Sequence, residues 1–411
     1  MKKNKTWLRG FAAGIGVSAA VGGTLFYVQY GTLPLIGDSV VTGKTASKAA
    51  RIERLIEKNY LEEVESESMA EGIYAGMLAS LGDPYSGYFS EENYKKLMES
   101  TEGKYTGIGL SMQQDTETKE ITVYECFEGS PAEQAGVKEG DVIYKVGDRM
   151  ASEMEVSEIS DWIKSGEMEE LKLVLLRDGE EITVTIVPET VELPVVRSRM
   201  LPEELGYLQI EEFTEGTPEQ FKKAYEELKK QKAQGMIIDL RNNPGGLLTS
   251  VCDTLEQILP EGMIVYTEDR YGNREEHTCE GKTPIEIPLV VLVNEESASA
   301  AEIFAGAVKD HQVGTLVGTT TFGKGIVQKT YPLGDGSAVK MTVSKYYTPN
   351  GVNIHGEGIS PDVEVKWPED KDTPVRISDM NELPVQEWLE QDNQMKKSVE
   401  VLSGLVAEKE K

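Results

Sequence analysis

The chain is poor in the residues that build metal and disulfide chemistry. Among 411 residues there are 3 His and 3 Cys. Cys126, Cys252 and Cys279 are odd in number, far apart and never in a C-x-x-C pattern, which gives neither a disulfide framework nor a thiolate zinc site. His277, His311 and His355 are just as scattered, so a histidine-based metal centre is not expected and no cofactor is implied. Positive charge is also scarce. Against 71 Asp plus Glu stand 42 Lys plus Arg, a formal net charge of −29. That field repels phosphate backbones and argues against nucleic acid as a partner. Long uncharged runs are missing except at the N-terminus, where Lys2, Lys3, Lys5 and Arg9 precede residues 10–28. This stretch is just long enough to cross a hydrocarbon core of ~30 Å as a helix. The basic flank predicts a cytoplasmic tail with everything after residue 30 exported. A cleaved signal peptide is the alternative, but "VSAAVGG" contains no clear A-x-A site, and an uncleaved anchor is favoured.

The chain divides by periodicity. Residues 1–36 are tail, membrane segment and linker. Over residues 37–100 the spacing is helical, with Ile52, Leu55, Ile56, Tyr60 and Leu61 on one face. A second helix over 69–81 ends at "LGDPYSGYF", where Gly82 and Pro84 break it. Residues 101–188 change to short strand-like runs separated by Gly, Asp and Ser turns, a small mainly-β domain. From Gly206 strands alternate with helices. "GYLQIEEF" is a strand, "TPEQFKKAYEELKKQ" a helix with Thr217 as N-cap, and "GMIIDL" and "PLVVLV" are buried strands, each followed by a helix. This alternation predicts an α/β core with largely parallel strands over 189–367. Residues 368–411 form an acidic helical tail with apolar positions at Val385, Trp388, Leu389, Met395, Val399 and Leu402.

Two strand ends draw attention, because ligands of open α/β sheets gather there. In "DLRNNPGGLL", Gly245 and Gly246 let backbone N–H groups approach a substrate and point at an oxyanion. As a plain alternative, this is a Gly-rich turn. In "NEESASAAEIFAGAVKD", Ser297 and Ser299 stand where a strand gives way to a helix. Ser299 with Glu302 also reads as a capping box. A Ser nucleophile needs a base, and no His has a supporting context. Lys324, in "TFGKGIVQK" beside Phe322, Ile326 and Val327, is a candidate if burial strips its ammonium of water. A fall from ~10.4 to near 7.5 corresponds to about 4 kcal/mol of differential solvation. The alternative is an exposed Lys in a hairpin turn.

"SASAAEIFAGAVKD", "TFGKGIVQ" and "DLRNNPGG" together resemble the carboxyl-terminal processing peptidases, the tail-specific serine proteases of family S41. "LGDPYSGYF" and "YYTPNGVNIHGEGISPDV" are similar to that family's flanking signatures, and the resemblance spans roughly residues 45–367. It implies a crotonase/ClpP-like ββα protease core with a Ser–Lys dyad. Ser299 is then the nucleophile, Lys324 the general base, and Gln328 a holder of the Lys. The N–H groups of Ala300 and of Gly245 or Gly246 form the oxyanion hole, and Ser297 becomes structural. "GKYTGIGLSM" with "GSPAEQAGVKEGDVIYKVGD" resembles a PDZ domain inserted before the core. Thr106, Gly107, Ile108, Gly109 and Leu110 would cradle a substrate's terminal carboxylate while an edge strand accepts the peptide. Many relatives carry an Arg-Gly pair implicated in gating, but here "WIKSGEMEEL" offers Lys164.

The expectation is an exported, membrane-tethered serine endopeptidase acting on proteins with exposed C-terminal tails. A homodimer is expected to form through the N-terminal helices or the C-terminal apolar positions, the alternative being that these faces pack on their own chain. A PDZ scaffold on an inactive protease fold is the alternative from another class. An acyl-CoA enzyme is a third, weakened by the lack of a basic phosphate-binding patch.

Overall fold

The computed structural model of the protein describes residues 40–164, 169–368 and 384–409. The expected membrane segment, residues 10–28, lies outside them. Among the described residues no helix is long and apolar enough to cross a membrane. The described residues fall into two units, divided between Tyr74 and Ala75. In the first, α1 (Gly43–Asn59) is opened by Thr42, whose hydroxyl accepts from the N–H of Thr45 at 3.3 Å. It buries no residue, and Ile52, Leu55, Tyr60 and Leu61 are exposed. Helix α2 (Ser66–Ala79) spans the division and also buries none.

The second unit begins with β1 (Gly87–Phe89) and α3 (Glu91–Glu102), which ends on Gly103 in the left-handed conformation. A mainly-β domain comes next. It contains β2 (Lys104–Gly107), β3 (Leu110–Gln114), β4 (Ile121–Cys126), α4 (Pro131–Gln134), β5 (Val142–Val146), β6 (Arg149–Met150), α5 (Val156–Lys164), β7 (Leu171–Arg177) and β8 (Glu180–Ile186). Its sheet runs β3-β4-β5-β7-β8, so β3 is an edge strand. Alternate residues Leu171, Leu173 and Leu175 point into a core closed by Ile159 and Ile163 of α5. Strand β2 pairs instead with β9 (Glu189–Glu192).

The α/β core starts with β10 (Val196–Leu201), β11 (Leu205–Ile210), α6 (Thr217–Lys230), β12 (Gly235–Asp239), α7 (Leu248–Leu255), β13 (Gly262–Asp269) and β14 (Arg274–Cys279). It continues through β15 (Leu289–Val293), α8 (Ala300–Asp310), β16 (Thr315–Gly318), β17 (Ile326–Pro332), β18 (Ala338–Tyr347), β19 (Val363–Glu364), α9 (Val385–Gln391) and α10 (Asn393–Lys409). One sheet runs β10-β11-β12-β15-β16-β19, parallel except for the β10/β11 pair. Its central strands are buried along their whole length because both faces are covered. Leu208, Ile238 and Val291 meet Phe221, Val251 and Phe304 on one face. Tyr207, Ile237, Val290 and Leu292 meet Trp388, Met395 and Leu402 on the other.

Two expectations shift here. The C-terminal segment packs into the core rather than trailing as a tail. Trp388, Met395 and Leu402 are fully covered by the chain's own sheet, so they are not an open pairing face. Helix α6 takes Gly216 as its N-cap rather than Thr217, whose hydroxyl donates to Glu212 O and accepts from Thr214 N–H. A second, antiparallel sheet, β1-β18-β13-β14 with β17 on β18, carries the segment that follows Lys324.

Candidate active site

Three loops converge at the carboxyl ends of β12, β15 and β16. The loop after β12 is pinned from below. Arg241, fully buried, forks onto Asp239 at 2.7 Å and onto Asp392 at 2.9 Å, and also donates to Gln394 Oε1 at 3.1 Å. Tyr207 Oη donates to the same Asp239 at 3.0 Å. A buried guanidinium is tolerable only with such pairing, and it ties the loop to the C-terminal helices. The loop is then stitched to the one after β15. Ser297 Oγ donates to Leu240 O at 2.8 Å, Asn242 N–H to Asn294 Oδ1 at 2.9 Å, and Ala298 N–H to Asn243 O at 2.9 Å. Ser297 is fully buried in this stitching and has a structural part.

Ser299 sits at the N-cap of α8 with φ 55° and ψ −113°. A positive φ is uncommon for a residue with a Cβ, and strain of ~1–3 kcal/mol of this kind clusters at functional sites. Gly245 lies directly against it. A Cβ added at Gly245 would stand 2.8 Å from Ser299 Cβ, 2.8 Å from Ala298 O and 2.9 Å from Ala300 N. Gly246 is equally tight, with Phe213 O 2.2 Å from the place of a Cβ. The N–H of Gly245 is already used, donating to Asn243 Oδ1 at 2.8 Å. Among the described residues no group accepts from the N–H of Ala300 or Gly246. Gly245→Ala is expected to lower kcat about 100-fold by displacing Ser299, since a 1 Å error near a reacting group costs that much. Kinetics on a tail peptide would check it.

The third loop is tied to the second through Glu302. This carboxylate, on the first turn of α8, is fully buried. Its Oε2 accepts from the N–H of Ser299 at 2.8 Å and of Lys324 at 2.8 Å, and its Oε1 from Thr321 Oγ1 at 2.6 Å and Gly323 N–H at 2.7 Å. Phe322 N–H donates to Ser297 O, and the buried Tyr346 hydroxyl to Ser299 O at 3.0 Å. Burial, and then the Glu302 charge, push the Tyr346 phenol well above its ordinary value, so it stays a donor.

Lys324 is half-buried. Burial first, and then the charge of Lys340, lower its ammonium below the usual lysine value, while Glu302 and Asp83 oppose. Phe322, one of the expected apolar neighbours, is 55 % exposed and does not supply that burial. The ring over Lys324 Nζ is Tyr85, 4.7 Å to the centroid. No hydrogen bond joins Nζ to Ser299 Oγ in this structure; the two loops are joined through Glu302 instead. Gln328 sits at a β-bulge in β17, and its amide donates to Thr342 Oγ1 at 3.3 Å and Ile326 O at 3.5 Å, with no bond to Lys324.

In the β domain, Gly107, Ile108, Gly109 and Leu110 are buried in the turn that enters edge strand β3, and Thr106 is exposed. Gly109, at φ +77°, has no room for a Cβ, with Ser130 Cβ at 2.3 Å. Lys164 ends α5 with its ammonium 5.5 Å from the Tyr105 ring. Arg197 of β10 joins the domain to the core, forking onto Glu125 at 2.8 and 2.9 Å and reaching Glu211 at 2.8 Å.

A serine with a left-handed backbone thus stands at a helix N-terminus beside N–H groups without acceptors among the described residues, on a loop tied through Glu302 to that of a half-buried lysine. The chain belongs to peptidase family S41, whose model matches residues 204–365, and it carries a PDZ domain matched over 123–177. Residues 37–93 match the N-terminal domain described for the activating protease CtpB. A carboxyl-terminal-processing protease of Synechocystis is 36 % identical over 298 residues, 71 % of this chain and 70 % of that one. The carboxy-terminal processing protease CtpA of Bacillus subtilis is 35 % identical over 348 residues, 82 % of this chain and 74 % of the relative. A putative S41 protease of Bacteroides fragilis shares the fold, with a TM-score of 0.50 at 16 % identity over 77 % of this chain and 90 % of that one. The protein is thus a serine peptidase of the carboxyl-terminal processing type.

Proposed function

We propose that this peptidase cuts by a Ser299–Lys324 dyad and selects its substrates by their free C-termini. Ser299 Oγ attacks the peptide carbonyl while Lys324 Nζ takes its proton. The collapsing intermediate breaks the C–N bond, and the amine leaves with that proton. Water, deprotonated by the same lysine, then releases the acyl group. Ala300 N–H and Gly246 N–H hold the oxyanion; Gly245, whose N–H is occupied by Asn243, provides the closeness. Gln328 helps hold the Lys324 side chain. The observation that carries this reading is the single buried Glu302, to which the backbones of both dyad residues are bonded.

The PDZ turn, Thr106 to Leu110, is assigned the terminal carboxylate and β3 the peptide. Residues 37–100, 101–188, 189–367 and 368–411 serve as the working divisions of helical region, PDZ domain, protease core and C-terminal helices. Export and tethering through residues 10–28 follow from the basic flank. The exposed Ile52, Leu55 and Leu61 are the face assigned to a second copy of the chain.

The test is a fluorophosphonate probe, which phosphonylates a reactive serine with loss of fluoride, with the modified peptide located by mass spectrometry. The label is expected on Ser299, with a rate rising with pH along a limb below the ordinary lysine value of ~10.4, because a base must lose its proton to act. Label elsewhere, or a flat pH profile, rejects the dyad.

A further inference from the structure

The motif "LGDPYSGYF" has no part in the chemistry above, yet the structure seats it on the lysine. Asp83 holds the segment in a tight turn, accepting from Tyr85 N–H at 3.0 Å and from Ser86 Oγ at 2.6 Å. Ser86 Oγ in turn accepts from Thr342 N–H at 3.0 Å, and β1 pairs with β18 from Gly87 to Phe89. Thr342 Oγ1 is also the acceptor for Gln328. The turn is therefore fixed on the same strand that flanks the lysine segment, and it presents one ring face, that of Tyr85, to Nζ.

We propose that Tyr85 is a positioning residue for the general base, its ring holding the Lys324 ammonium between proton transfers and fixing the side chain's course toward Ser299. This rests on the Ser–Lys reading. An aromatic face attracts an ammonium through its quadrupole at this distance, which keeps a half-desolvated charge in a defined place. The other charges facing Nζ are Glu302 on α8, Lys340 on β18 and Asp83 in the turn, with His355 acting on Asp83. None of them offers a flat apolar surface, so the ring is what a substitution can remove separately.

The ring favours the charged lysine, so its loss makes the proton easier to remove, and the acidic limb of kcat moves to lower pH. The full chain is assayed on a tail peptide across pH as wild type, Tyr85→Phe and Tyr85→Leu. Tyr85→Phe keeps the face and is expected within about twofold of wild type in kcat, with the limb unmoved. Tyr85→Leu keeps the bulk without the face. Its plateau kcat is expected to fall about tenfold with KM nearly unchanged, and its limb to move down by about half a pH unit. Should thermal melting show the Leu chain unfolded, Tyr85→Met makes the same comparison. An unmoved limb in the Leu or Met chain overturns the inference, as does a Phe chain as slow as the Leu chain, or a change in KM alone. Those outcomes leave the dyad standing if wild type is labelled on Ser299; a wild type that is not labelled there removes both.

Discussion

Ser299→Ala is expected to lower kcat on a C-terminal tail peptide by at least about 10⁴-fold, and Lys324→Ala to do the same. Neither loss should come from unfolding. Ser299 Oγ makes no side-chain cap bond to α8, whose Glu302 N–H donates to Ser299 O at 2.9 Å, so removing the hydroxyl costs the fold little. Lys324 Nζ lies against an aromatic face and makes no ion pair among the described residues, and the buried Glu302 nearby keeps its four hydrogen-bond donors when the lysine side chain is truncated. Both variants should keep the wild-type stability in urea within about 1 kcal/mol. The double variant should be no slower than either single one, because a nucleophile and its base act as a unit and their losses do not add. Lys324→Arg should be as dead as the alanine variant, since a guanidinium does not give up its proton at any working pH. Cleavage by either single variant at more than about 1 % of wild type would falsify the dyad and leave the strained serine without a function.

Much of this site was legible in the sequence because it is written in short local patterns. "PLVVLV" followed by small residues marks a buried parallel strand feeding a helix, and the structure has β15 and α8 there. "NNPGG" marks a turn without Cβ atoms, and Gly245 and Gly246 sit where none fits. "SPAE" opens a helix with Ser130 accepting from Glu133 N–H. What was not legible depends on pairs distant in sequence. Nothing local ties Tyr85 to Lys324; the contact exists because β1 joins the far edge of β18. The neighbour that local spacing offered, Phe322, is exposed, because Gly323 N–H is held by the Glu302 carboxylate and Gly325 lies against the His355 backbone. Arg241 carries no signal of its own in "DLRNN", since its second carboxylate, Asp392, arrives from the C-terminal helices. The apolar stripe of those helices was visible, but periodicity does not say which surface covers it, and here it is the chain's own sheet.

Glu302 gives the second large effect, and it differs in kind from the first. Sequence spacing marks it only as the partner of a capping box, which is worth ~1 kcal/mol. In the folded chain it is a buried acceptor for four donors, two on each oxygen: the N–H groups of Ser299, Gly323 and Lys324 and the hydroxyl of Thr321. A carboxylate, acceptor on both oxygens, matches that set. An amide does not. In Glu302→Gln one oxygen is replaced by an NH₂ that faces two donors, and since only the Thr321 hydroxyl can turn to accept, at least one N–H loses its partner. Expected costs are about 2–4 kcal/mol in folding stability and about 10²–10³-fold in kcat, the second because the dyad loops lose their common anchor. Glu302→Ala should be less stable still, adding a cavity to the same unpaired donors. Urea titration reads the first cost, and kcat at a temperature where the variant is fully folded reads the second. A Glu302→Gln chain with wild-type kcat and midpoint would mean that the two loops hold their places independently. A chain that is destabilised but fully active would confine Glu302 to the fold. Loss of both, beside a Ser299→Ala chain that loses activity alone, is the pattern that separates the residue holding the site from the residue that reacts in it.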